Sequence, residues 1–152
     1  SAEWTGLDHL EGMEVDIVAD GAVQARQTVT GGKITLTKEA VDVTIGLPFT
    51  PQILLLTPEI VSGAGSSQGN HMRTSEIVLR FLETLGCTVN GQVVAFKELG
   101  LGALTNPPQT FTGDHRVTNL GWDKGISRIL IEQPQPLPFH LLAVIRKFTV
   151  ND

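Results

Sequence analysis

The stretch TSEIVLRFLETLG, Thr74–Gly86, decides the fold, and its apolar residues satisfy two periods at once. Ile77, Phe81 and Leu85 recur at the helical spacing of four. Ile77, Leu79 and Phe81 alternate at the strand spacing of two. Intrinsic preference does not settle the matter, so on these residues alone 75–86 is either helix or strand. The neighbouring segments favour strand. Just downstream, CTVNGQVVAF sets Asn90-Gly91 between valine-rich runs, a hairpin signal. Upstream, QILLLTP (52–58) is short and wholly apolar, as in a strand covered on both faces.

The same pattern extends towards both termini. MEVDIVA (13–19) alternates, with Met13, Val15, Ile17 and Ala19 on one face and Glu14, Asp16 and Val18 on the other. Asp20-Gly21 follows as a turn, and Gly31-Gly32 in RQTVTGGKITL marks a tight hairpin. VDVTIG (41–46) places Val41, Val43 and Ile45 on one face, and the prolines of LPFTP end it. Near the C-terminus, DHRVTNLG and ISRILIEQ read as strands. GWDKG (121–125) reads as a turn, and PQPLP precedes FHLLAVIRKFTV (139–150), an apolar run expected centrally in a sheet. The segments 62–71, rich in Gly and Ser, and 99–113 show no periodicity and read as loops. The expectation is one all-β domain over residues 1–152. It would be a sandwich or partly closed barrel of about eight to ten short, mostly antiparallel strands with long loops.

Composition narrows the function. With 16 glycines, 8 prolines and 18% charged residues, the chain is globular and rich in turns. Its net charge is -5 and its 11 basic residues are scattered, which gives no footprint for sequence-specific nucleic-acid binding. No apolar run reaches the ~20 residues of a membrane-spanning helix. Cys87 is the single cysteine, which excludes an internal disulfide and a cysteine-based zinc site; it reads as a buried, inert thiol. The start, SAEWTGL, lacks a signal-peptide design and a methionine, and reads as the cut edge of a longer protein.

The chemical candidates are weak. GLDHLEGMEVDIVADG (6–21) gathers His9 with Asp8, Glu11, Glu14, Asp16 and Asp20. Its spacing fits no metal site, and Glu14 and Asp16 are expected on the solvated face of an amphipathic strand. His9, His71, His115 and His140 show no paired spacing, and His140 reads as a core or interface residue. Asp114-His115 resembles an acid/base pair, yet adjacent strand residues point to opposite faces. Trp4 and Trp122 sit beside glycine turns and read as loop anchors. No catalytic, cofactor-binding or metal residue is assigned.

Two segments carry a resemblance. The first holds Gly6, Leu7, His9, Leu10, Glu11 and Gly12, then Ala19-Asp20-Gly21. Thr28, Val29, Gly31 and Gly32 follow, and then Val43, Gly46, Leu47, Pro48 and Phe49. The second runs from Pro107 and carries Phe111-x-Gly113-Asp114, Gln133-x-x-Pro136-Leu137-Pro138 and Leu141-x-x-Val144-Ile145. Together they resemble the C-terminal region of tail tubular or nozzle proteins, also described as head–tail stabilisation proteins, of short-tailed bacteriophages. The resemblance spans Trp4 to Phe148. It implies a non-enzymatic structural domain excised from a longer virion protein, made in the bacterial cytoplasm and carried in the phage tail. Its implied partners are copies of itself and other tail proteins, with no cofactor. The alternatives are a host-surface module binding a receptor or carbohydrate through the long loops and, further off, a virion-associated cell-wall hydrolase.

Overall fold

A computed structural model of the chain describes residues 1–62, 65–67, 71–94, 96, 109–118, 120 and 128–151. It is nearly all-β, built from antiparallel sheets with no closed barrel among the described residues. Backbone contacts divide it into two compact units. The first comprises Ser1–Thr50, Lys97–Gln109 and Pro134–Leu137; the second comprises Pro51–Phe96, Thr110–Gln133 and Pro138–Asp152. The GWDKG turn, Trp122 and most of 99–113 lie outside the described residues.

In the first unit, β1 (Glu3–Thr5) pairs with β5 (Lys33–Thr35). β2 (Glu14–Ala19) pairs with three strands: β3 (Ala22–Val23), β4 (Gln27–Thr28) and β6 (Val43–Gly46). Period-two alternation buries Val15, Ile17 and Ala19 against Val29, Ile34, Leu36 and Ala40, with Trp4, Leu7 and Leu10 packed at the margin. The Gly31-Gly32 hairpin forms as the sequence requires. Both residues have positive φ, 64° and 65°, the signature of a primed two-residue turn that glycine adopts without steric cost.

The second unit is organised on Thr74–Gly86, most of which is strand. β10 (His71–Thr84) runs for 14 residues and pairs on one side with β13 (Phe111–Thr118) and on the other with β15 (Leu141–Asn151). The period of two wins here because it places Ile77, Leu79 and Phe81 on one face, all fully buried. A second sheet runs β12 (Gln92–Val94), β11 (Cys87–Val89), β14 (Leu130–Glu132), β7 (Gln52–Leu54). It supplies Cys87, Val89, Val94 and Ile131 to the same core, so this unit is a sandwich. Within the 62–71 segment, β8 (Val61–Ser62) and β9 (Gly65–Ser66) form a short ladder; residues 63–64 and 68–70 lie outside the described residues.

Two strand readings need correction. The apolar run FHLLAVIRKFTV, expected at a sheet centre, forms β15 at the edge of its sheet, with β10 in the middle. Leu142 and Ile145 on it remain 59% and 53% exposed. QILLLTP, expected to be covered on both faces, is covered on one. Ile53 and Leu55 pack on the core, whereas Leu54 and Leu56 are 56% and 90% exposed. In QILLLTP alternate side chains part, one set on the core and the other in water; on β15 a register shift, where Arg80 pairs with Ala143 and Phe81 with Leu141, sets Leu141 and Val144 on the core and leaves Leu142 and Ile145 exposed.

The contrast within one residue type can be measured. Leu79→Ala should cost ~2–5 kcal/mol, as removal of a buried leucine does. Leu56→Ala should stay within about 0.5 kcal/mol of the parent. Urea unfolding decides; equal losses would place Leu56 in a core.

Candidate functional site

The histidine-acidic opening is a structural corner of the first unit. Residues 6–12 wrap the Gly31-Gly32 hairpin through the backbone. The Leu7 N–H donates to the Gly32 carbonyl at 2.9 Å, the Gly12 N–H to Val29 at 3.0 Å, and the Val29 N–H to Met13 at 3.0 Å. The Glu11 carboxylate closes the corner, accepting from the Gly31 N–H at 2.9 Å with one oxygen and from the Gly32 N–H at 2.7 Å with the other. Two successive amides in a left-handed turn make a concavity suited to an anion. The Gly32 and Gly31 amides accordingly hold the Glu11 carboxyl below its ordinary value. A side chain at residue 32 would displace the exposed Asp8 carboxylate, and the positive φ there is what calls for glycine.

The other carboxylates of the opening are also engaged. Asp20 accepts from the Asp42 N–H at 2.8 Å and the Val41 N–H at 3.1 Å, tying the Asp20-Gly21 turn to the start of β6. Asp16 corrects the expectation of a solvated acidic face. It is buried at 9% exposure and accepts from Arg26 Nε at 2.5 Å, while Glu14, 3.9 Å from Arg26, stays exposed. Arg26 lies ten residues downstream, and its Nε and Nη2 both donate to the Asp16 carboxylate, which gives this buried side chain its partner at a strand centre. Val15–Ile17 therefore form a buried run in which alternation does not sort polar from apolar.

The histidines are dispersed. His9 is exposed in a single 3-10 turn, Asp8–Leu10. His71 begins β10. His140 is exposed just before β15 rather than buried in a core; its backbone N–H donates to Thr84 Oγ1 at 2.9 Å. Asp114 and His115 part as strand geometry requires. Asp114 accepts two bonds from Arg80 at 2.7 and 2.9 Å, which holds its carboxyl below the ordinary range. His115 instead lies edge-on to Phe96, 5.3 Å between ring centres. Cys87 is buried, and desolvation pushes its thiol up to about 11. Among the described residues no three His, Cys, Asp or Glu side chains are placed to hold a metal. Nor is any described helix long and apolar enough to cross a membrane.

What stands out in the second unit is apolar surface. Leu54 and Leu56 are exposed beside the partly buried Ile53 and Leu55, and Leu142 and Ile145 are exposed beside the partly buried Leu141 and Val144 on β15. In the first unit Val41, Leu47 and Phe49 are likewise exposed. Bare large apolar side chains are ordinary singly and informative when they line a strand face. The apolar density of QILLLTP and FHLLAVIRKF already carried this signal. The Glu11–glycine contact had no such signal in spacing, since its partners lie 20 and 21 residues apart. No protein-family model matches the sequence, and no curated protein is significantly similar to it.

Glu11 gives a signed pH dependence. A carboxyl depressed in the folded state contributes stability that is fully present above its ordinary value of 4.5 and is lost as pH falls through the lowered folded value. Glu11→Gln should destabilise the chain at neutral pH, and the gap from the parent should close on acidification below 4.5. Urea midpoints across pH read this; a gap that is constant with pH would show that the charge on Glu11 is not what braces the turn.

Proposed function

We propose that the chain is a non-catalytic assembly domain of a bacteriophage tail protein, of the nozzle or tail-tube kind, that packs against copies of itself and neighbouring tail proteins in the virion. One observation carries the reading. QILLLTP, whose sequence calls for cover on both faces, exposes Leu54 and Leu56, and β15, an apolar run expected centrally in a sheet, exposes Leu142 and Ile145. Exposed side chains of this kind lose contact with water when a partner covers them, at roughly 25 cal/mol per Å² of apolar surface. The resemblance of 6–49 and 107–148 to tail-tube proteins supplies the kind of partner. The carboxylates that first suggest chemistry are occupied in bracing: Glu11 on a turn, Asp16 on Arg26, Asp20 on β6 and Asp114 on Arg80.

Sedimentation velocity over a wide concentration range tests this. The parent chain should self-associate, and Leu56→Lys with Ile145→Lys should abolish association while leaving the far-ultraviolet spectrum unchanged. A parent that stays monomeric at millimolar concentration, or a double variant that associates as strongly, would overturn the proposal.

A further inference from the structure

The second unit contains a groove of about 230 Å³ lined by Gln92, Val93 and Val94 on one wall and by His115, Arg116, Val117 and Thr118 on the other. Each wall is an unbroken run of consecutive residues. Successive strand residues point to opposite faces, so a strand met face-on would contribute every second residue. Consecutive residues line a groove only when the strand is met from the side. The walls are thus the edges of β12 and β13. Each is the terminal strand of its sheet, and among the described residues neither has a ladder partner on its second side. Phe96, two residues beyond β12, fixes one end of the arrangement by stacking on Phe111 at 4.3 Å and lying edge-on to His115 at 5.3 Å.

We propose that this groove is a strand-acceptor site, taking an extended, acidic, proline-free segment of a different polypeptide between β12 and β13. The proposal goes beyond the assembly reading, which concerns apolar faces, and names a separate contact and its chemistry. Two facing strand edges offer rows of backbone donors and acceptors, the chemistry of β-strand addition. An inserted strand would join the sheets in the order β7, β14, β11, β12, guest, β13, β10, β15. The four residues of the longer wall span ~13 Å at about 3.3 Å per residue, which sets the guest at about four paired residues. Charge selects its side chains. The lining holds Arg116 and His115 and no carboxylate, in a chain whose net charge is -5. Arg116 is largely exposed and pairs with Glu76 through Nε at 3.5 Å, and the other N–H donors of its guanidinium can still meet a guest carboxylate. That same chemistry disfavours a proline, which has no N–H for either ladder.

The test uses the 152-residue chain and an acetylated, amidated peptide, Thr-Glu-Val-Glu-Thr-Val, whose carboxylates share one face. Two controls share its length: one with lysines for the glutamates, and one with alternate backbone nitrogens methylated. Hydrogen exchange should slow at residues 92–94 and 115–118 when the acidic peptide is added, and at neither wall with the methylated one. Arg116→Glu should weaken the acidic peptide about tenfold or more, while the lysine peptide gains. Sedimentation in the same samples reports whether copies associate, so failure here is separable from failure of the assembly reading. Three results would overturn the proposal. One is no slowing at saturating peptide. Another is equal binding of the methylated peptide. The third is slowing that grows with protein concentration without peptide, which would give the groove to a second copy.

Discussion

Burial of alternate β10 side chains between two sheets is the interaction on which the second unit depends. Ile77, Leu79 and Phe81 face a core to which the four-stranded sheet brings Cys87, Val89, Val94 and Ile131. Among the described residues β10 is the one strand of its sheet with partners on both sides, so the register of β13 and of β15 is set by its fourteen residues. A slip of one residue would turn Ile77, Leu79 and Phe81 to the outer face and bring Arg80 inward, away from Asp114. Leu79 and Leu56 show how far this arrangement reaches. The same side chain is 0% exposed in one place and 90% exposed in the other. The sheets cover one set of faces and leave a second set exposed, on which Leu54, Leu142 and Ile145 stand beside polar and charged residues.

The first unit solves a different problem. Its core is small, and its wet surface is held by carboxylates that grip backbone rather than each other. Glu11 spans the two glycine amides, Asp20 reaches Val41 and Asp42, and Asp16 accepts from Arg26. Each contact satisfies backbone donors or a guanidinium that would otherwise compete for water at a bend in the chain. This explains why the acidic residues near the N-terminus cluster in sequence without converging on a common point in space. It also explains why Gly6–Gly12 and the Thr28–Gly32 turn belong together, since the first segment is shaped around the second.

Much of this was legible in the sequence, and the gaps have physical causes. Turn chemistry was local, so Asp20-Gly21, Gly31-Gly32 and Asn90-Gly91 were readable, and all six residues have positive φ. Period two was readable wherever polar and apolar residues alternate, and it carried Thr74–Gly86 to the correct strand. It misled at Asp16, where a buried carboxylate depends on an arginine ten residues away and a strand face is not uniformly apolar. It could not tell a central strand from an edge strand in FHLLAVIRKFTV, because composition records what a strand can bury and not what is beside it. The groove between β12 and β13 was invisible, because Gln92–Val94 and His115–Thr118 are more than twenty residues apart and meet only once the sandwich core, which holds both Val94 and Val117, is packed.

The proposed assembly role requires that Leu56, just beyond β7, and Ile145 on β15 be covered by a partner in the assembled state. Thiol labelling can read this residue by residue, because the native Cys87 is buried with its thiol pushed up to about 11 and contributes little background at neutral pH. A cysteine placed at Leu56 and, separately, at Ile145 should react freely in the isolated chain. In virion tails that carry the same substitutions, both should be protected many-fold, while a cysteine at the exposed Lys38 reacts at its free rate in both. Labelling of positions 56 and 145 at the free-chain rate in the assembled tail would contradict the account.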